Sequence, residues 1–243
     1  MKCITEKEHS CGSINYLCAS IGGSPMTCYV LRGKKGDMLI DTGISLVYKS
    51  LREYISHYDI RYILLTHAHT DHDGNAARLR KELNAEIFLS GRDRELVGHF
   101  ERQPVKATSP RYRVRNIQQN VCGRMRLFRS APYTPDILLG SDRNILHEHG
   151  FDAETVPLPG HTLGSVGVLS EGVLYCGDAF TAMWGKPDIT PHAASPEAMV
   201  RSLERILELS PEWLATGHGL PVKMLEARPV IRKYLLMHRH QLK

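Results

Sequence analysis

Tyr62-Ile63-Leu64-Leu65-Thr66-His67-Ala68-His69-Thr70-Asp71-His72 runs an apolar strand straight into a cluster of metal-ligand side chains. Its start, Tyr62 to Leu65, has the pattern of a short strand buried on both faces. His67 and His69 stand two apart, so an extended segment points both to one side. Asp71 and His72 follow where the chain begins to turn, and they can address a different centre. That arrangement suits two metal ions rather than one. Imidazole with carboxylate suits zinc, and iron and manganese accept the same donors.

The pattern recurs further along. Val156-Pro157-Leu158 precedes His161, Tyr175-Cys176 precedes Asp178, and Leu214-Ala215 precedes His218. Loops at strand ends, braced by a rigid sheet, are where sites are assembled. A lone His-x-His is weak evidence, but this run followed by His161, Asp178 and His218 makes a metal site the better reading. His9, His57, His99, His147, His149, His238 and His240 have no such company and read as surface or hydrogen-bonded residues.

Around these motifs the sequence is that of an ordinary globular chain of 243 residues, with 42% hydrophobic and 23% charged side chains. It has no apolar run long enough for a bilayer span. The polar start lacks the apolar core of a secretory signal, so a cytoplasmic location is expected. The six cysteines form no CxxC pair and are expected as thiols. Strands are expected at Thr27–Leu31, Met38–Ile40, Glu86–Leu89 and Thr155–Leu158, and a hairpin at Ser165–Leu169 and Val173–Cys176. Ser45–His57 reads as a helix burying Leu46, Val47, Leu51 and Ile55, Asn75–Leu83 as another, and Pro196–Leu209 as an amphipathic helix capped by Ser195. A last helix is expected from Val222 to about His240. Residues 99–140 break the rhythm. They hold eight Arg and Lys against Glu101 and Asp136, a net +6 on a chain that carries +5 in all, and read as an insertion over or beside the body.

These residues resemble the metallo-β-lactamase superfamily, through His-x-His-x-Asp-His at 67–72, PGHT around His161, GD at Asp178, GH at His218 and LIDTG at 39–43. The resemblance runs from about residue 12 to 222, apart from the insertion. It implies an α/β fold, a four-layer αβ/βα sandwich of two similar halves, here a single domain over 1–243 with the basic insertion at about 99–140. By match of position it implies His67, His69 and His161 on one metal, Asp71, His72 and His218 on the other, and Asp178 bridging them. Asp41 would tighten the site through hydrogen bonds. Two bridged metals lower the pKa of a shared water to around 7. Asp71 is then the catalytic residue placed to orient that nucleophile and carry its proton.

Departures narrow the choice within the family. Members with a cysteine ligand carry it where Asp178 stands, and Cys176, two residues earlier on a strand, should point elsewhere. The lactonases' tyrosine, three residues beyond the bridging aspartate, is here Thr181. The C-terminal helical domain of hydroxyacylglutathione hydrolases has only about 25 residues to occupy. The expected function is hydrolysis of an ester, thioester or lactone with two divalent ions, zinc foremost. Phosphodiester cleavage of an anionic substrate is the first alternative, on the basic insertion, and a mononuclear-iron sulfur dioxygenase the second, against which the complete second ligand set argues. The expected partner is a small molecule, anionic if the insertion is a lid, rather than a membrane or nucleic acid. The plainer reading of the insertion is a solvated surface loop or a homo-oligomer contact. Phe180, Trp184 and Lys186 are candidates for the mouth of the site, and Tyr112 and Tyr133 for stacking surfaces.

Overall fold

Ile63, Leu64 and Leu65 are all completely buried, yet they face two different cores. That alternation explains the architecture. The computed structural model describes residues 4–9, 12–21, 23–124 and 129–238.

In chain order, β1 is Ile4–His9, β2 Gly12–Ile21, β3 Ser24–Leu31, β4 Asp37–Ile40, α1 Tyr48–Tyr54 and β5 Ile60–Leu64. α2 (Thr70–Asp73), α3 (Ala76–Leu83) and β6 (Glu86–Ser90) follow. The stretch after them supplies β7 (Lys106–Ala107), α4 (Arg113–Arg124) and β8 (Ile137–Leu139). The second half holds α5 (Ile145–Glu148), β9 (Glu154–Pro157), β10 (Val166–Ser170), β11 (Val173–Gly177), β12 (His192–Ala193), α6 (Pro196–Leu209), β13 (Trp213–Thr216), β14 (Val222–Lys223) and α7 (Met224–His238).

The first sheet has the order β1-β2-β3-β4-β5-β6-β8, antiparallel up to β4 and parallel from β4 onward. The second has the order β14-β13-β11-β10-β9, with β11 and β13 parallel. Strand residues point alternately to opposite faces, and the apolar strands use both. Met38, Ile40, Leu64 and Phe88 meet Val168, Val173, Tyr175 and Trp213 between the two sheets. Leu39, Ile63, Leu65 and Ile87 turn outward onto Leu51 and Tyr54 of α1 and Leu79 of α3. Leu174, Cys176 and Leu214 turn outward onto Met199, Leu203 and Ile206 of α6 and Ile231 of α7. Three apolar interfaces separate four layers, the αβ/βα sandwich.

Sequence and structure differ in detail for identifiable reasons. The span Ser45–His57 is α1 flanked by two 3-10 turns, and the changed periodicity leaves Leu46 64% exposed rather than buried. The hairpin of β10 and β11 pairs Val168 with Tyr175. Ser195 caps α6 by accepting from the Ala198 N–H. β8 is the edge strand of the first sheet, so residues 137–139 of the basic stretch belong to the body. Cys28 and Cys176 are free thiols, while Cys3 and Cys11 lie outside the described residues. No helix among the described residues is long and apolar enough to cross a membrane.

The loop after β9 is pressed onto α6 at Gly160. A Cβ added there would lie 2.5 Å from the Met199 Cα, so backbone meets backbone and neither can yield cheaply. Gly160→Ala should lower stability by about 1–3 kcal/mol in denaturant unfolding. Gly140→Ala is the control, because an added Cβ there meets nothing within 4 Å. Equal stability of the two variants would contradict the close approach.

Candidate metal centre

Every strand that delivers a candidate ligand ends at the same edge of the sandwich. β5 leads through Leu65 and Thr66 to His67 and His69, and α2 begins directly after, so Asp71 and His72 sit on its single turn. β9, β11 and β13 lead to His161, Asp178 and His218. The structure brings all seven side chains together. His67, His69 and His161 form one group, Asp71, His72 and His218 another, and His67, His72 and Asp178 a third, with the donor atoms in each group within 4.8 Å of one another.

Asp178 lies in the middle. Its Oδ2 is 3.4 Å from His161 Nε2 and 3.3 Å from His218 Nε2, and its Oδ1 is 3.5 Å from His72 Nε2. His69 Nδ1 and His161 Nε2 approach to 2.9 Å. Asp71 Oδ2 is 3.3 Å from His218 Nε2, and the Asp71 side chain, 41% exposed, opens to solvent.

Four of the five rings are fixed from behind through the nitrogen that faces away from the cluster. His72 Nδ1 bonds Asp41 Oδ2 at 2.8 Å, and His67 Nδ1 bonds the Thr66 hydroxyl at 3.1 Å. His161 Nδ1 donates to the carbonyl of His192 at 2.8 Å, and His218 Nδ1 to the carbonyl of Pro25 at 2.6 Å. Such bonds set the tautomer and aim the other nitrogen. Asp41 is the hub the sequence pointed to. It adopts a left-handed backbone (φ 59°) at the end of β4 and accepts from the Thr66 N–H at 2.8 Å as well as from His72.

The two main groups differ electrostatically. Burial, and then the neighbouring imidazoles, push the His67 pKa well down, and the same causes bring His69 to about 3. Burial also works to lower His72, but Asp41 and Asp178 outweigh it and raise His72 to about 9. His218 is raised well above its usual value by Asp178 and Asp71 against the pull of burial. Burial alone would raise Asp71 and Asp178, but the surrounding histidines hold both carboxylates well down. His67 and His69 therefore present neutral imidazoles, whereas His72 and His218 hold protons opposite carboxylates.

Some site residues carry little sequence signal. Pro25 and His192 act through their carbonyls, which no side-chain pattern announces. His192 pairs through β12 with β7 of the basic stretch, and its Nδ1 lies 3.3 Å from Asn116 Nδ2 of α4. The basic stretch also touches the site through Phe100, whose ring centroid is 6.0 Å from that of His69. Other expectations need correction. Phe180 is fully buried in the core beside α6 instead of standing at an open mouth. The Trp184 side chain lies outside the described residues, and Lys186 is exposed. Tyr112 donates to Asp188 at 2.7 Å and Tyr133 to Asp73 at 3.0 Å, so both hydroxyls anchor the stretch. Arg111 forms a two-pronged bond to Asp188 at 2.7 and 2.6 Å and is not a free cation.

Comparison with known proteins matches this geometry to a family. A profile described as the metallo-beta-lactamase superfamily covers residues 21–218. YobT of Bacillus subtilis (strain 168) is 27% identical over 219 residues, spanning 80% of this chain and 83% of that protein. Hydroxyacylglutathione hydrolase GloC of Haemophilus influenzae is 28% identical over 166 residues, 66% of this chain and 69% of its own. The crystal structure of metallo-beta-lactamase family protein TTHA1429 from Thermus thermophilus superposes with a TM-score of 0.67 at 23% identity, over 93% of this chain and 79% of that one, a likeness of fold.

The raised His72 pKa gives a pH test on chelator-treated protein. A folded-state value of about 9 against an ordinary 6.5 adds stability that is fully present below about pH 6.5 and lost as pH rises through 9. The stability difference between wild type and His72→Gln should shrink across that window, by an amount on the order of 3 kcal/mol. A difference that is flat or grows with pH would contradict a protonated His72.

Proposed function

The chain belongs to the metallo-β-lactamase superfamily, and on that footing we propose that it is a metal-dependent hydrolase cleaving an ester, thioester or lactone. One observation carries the metal reading. His67 Nε2, His72 Nε2 and Asp178 Oδ1 are buried side-chain atoms without a hydrogen-bond partner, and they converge on one space. Leaving such atoms bare costs roughly 1–3 kcal/mol each, more for a charged group, unless a cation takes their lone pairs. Imidazole and carboxylate donors fit zinc foremost, with iron and manganese also accommodated.

In this reading His67, His69 and His161 would hold one ion and Asp71, His72 and His218 the other, with Asp178 available to either. Two such ions would supply hydroxide near neutral pH and polarise the scissile oxygen. The protein's own groups do the rest. Asp71, the ligand with an open side, orients the attacking water and carries its proton toward the leaving group. Asp41 and the carbonyls of Pro25 and His192 keep the imidazoles aimed. Cys176 packs with the core beneath α6, which supports a donor set of histidine and aspartate alone. The likeness to a hydroxyacylglutathione hydrolase favours the thioester within the acyl class.

Purified from metal-replete medium, the protein should carry about two transition-metal ions per chain by the coordination argument. Asp178→Ala should lose orders of magnitude in kcat/KM on its best acyl substrate, whereas His147→Ala, at an exposed position, should not. A stable ratio of one iron with oxygen consumption would move the reading to dioxygenase chemistry, and equal activity of the two variants would remove Asp178 from its central role.

Phosphodiester cleavage is favoured by one feature, the exposed Arg113 and Arg115 on α4 beside the site. Glutamate at both positions should raise KM for an anionic substrate and weaken the salt dependence of kcat/KM, because steering is screened over about 8–10 Å at ordinary ionic strength. Equal effects on charged and neutral substrates would assign α4 a structural role.

A further inference from the structure

Asp93 is a buried carboxylate outside the roles given above, and its partners lie on both loops that carry the first ligand group. It stands in the 3-10 turn Gly91–Leu96 after β6 and is 0% exposed. Its Oδ2 accepts from the Thr162 hydroxyl at 2.6 Å and from the Ala68 N–H at 3.3 Å, and its Oδ1 accepts from the Gly164 N–H at 2.9 Å. Ala68 is the residue between His67 and His69, and Thr162 follows His161. The Thr162 hydroxyl also meets the Ser165 hydroxyl at 2.8 Å, which in turn accepts from the Thr162 N–H at 3.0 Å. A Cβ at residue 164 would lie 2.5 Å from Asp93 Oδ1, so glycine is what lets the loop close on the carboxylate.

All three donors to Asp93 are neutral, so what the carboxylate contributes is direction. Hydrogen bonds to an ionised acceptor are short and strong, and these join two loops from opposite halves of the chain. We infer that Asp93 is the positioning residue of the first metal site, fixing the His67-Ala68-His69 segment against the loop that carries His161. The inference rests on the reading that these three histidines hold a metal. Asp41 grips His72 of the other group directly and touches the first group only through the Thr66 hydroxyl, which also meets His67 Nδ1. Loss of Asp93, whose bonds reach only the loops of the first group, should therefore weaken one ion and spare the other.

The test is zinc binding by competition with a chromophoric chelator, run on wild type, Asp93→Asn, Thr162→Val and Thr162→Ser. Of the two ions, one should bind about 10- to 100-fold more weakly in Asp93→Asn while the other keeps its affinity. Thr162→Val, which preserves shape and removes the hydroxyl's bonds to Asp93 and Ser165, should weaken the same ion to a smaller degree, and Thr162→Ser should restore it. In a His69→Ala background, where the first group is already broken, Asp93→Asn should add nothing. In a His218→Ala background it should keep its full effect. If Asp93→Asn does not fold, the Thr162 pair decides the question. Two ions bound with affinities that none of these changes moves, or both weakened equally, would overturn the role of Asp93 and leave the two-metal reading standing. A wild-type chain that binds no metal would overturn both.

Discussion

Five imidazoles and two carboxylates share one largely buried space, and the rest of the structure is organised around holding them there. Burial disfavours the charged form of each ring, and each ring sees the others as further positive charge. Left to relax, such side chains would turn their nitrogens to water. They do not, because His67, His72, His161 and His218 are each gripped at the nitrogen facing away from the cluster. The atoms that remain bare point inward, and the fold thereby holds ligand atoms ready for a cation instead of relying on the cation to gather them.

The grips come from across the sandwich. His218 belongs to the second sheet, but its carbonyl partner at Pro25 belongs to β3 of the first. Thr27 of β3 donates from its N–H to the Gly217 carbonyl and from its hydroxyl to that of Gly219, and the Tyr29 hydroxyl reaches the Thr216 carbonyl. Val166 of β10 donates to the Thr66 carbonyl, just before His67. The apolar layer between the sheets sets the distance over which these bonds operate, and Met38, Leu64, Phe88, Val168 and Tyr175 fill it. Local disorder in one half would therefore be felt by ligands carried on the other. Packing and site geometry are one problem in this protein.

The four strand-to-ligand junctions were legible in the sequence because apolar runs ending abruptly at histidine or aspartate are a local signal. So was the helix Pro196–Leu209, whose cap and apolar stripe lie within one segment. What escaped is non-local. The carbonyls of Pro25 and His192 have no residue signature, and Asp93 follows a strand but stands in no ligand spacing. α4 defeats a pattern reading for another reason. Its Asn116 and Asn120 turn inward to bond the backbone of Val105, while Val114 and Ile117 are exposed, so the usual inside-outside polarity is reversed. A helix that packs on exposed backbone groups needs polar side chains on its inner face, and hydrophobic periodicity points such a helix the wrong way.

The same reversal bears on what the basic stretch can do. Its +6 charge suggests a field directed at substrate, but the charges are not equivalent. Arg111 is bound to Asp188, on the loop between β11 and β12, and Arg129 lies 3.7 Å from Glu101. Ser130 and Tyr133 fasten the far end of the stretch to Asp73, next to His72, and Asn116 fastens its middle to His192. These are polar contacts that hold a cover in register with the ligand loops. Arg113 and Arg115 stand exposed on α4, and an exposed cation acts on a distant anion mainly through long-range attraction that salt screens. Anchoring and exposed charge thus fall to different residues of one segment, and what the segment sets beside His69 is the Phe100 ring and not a bound arginine.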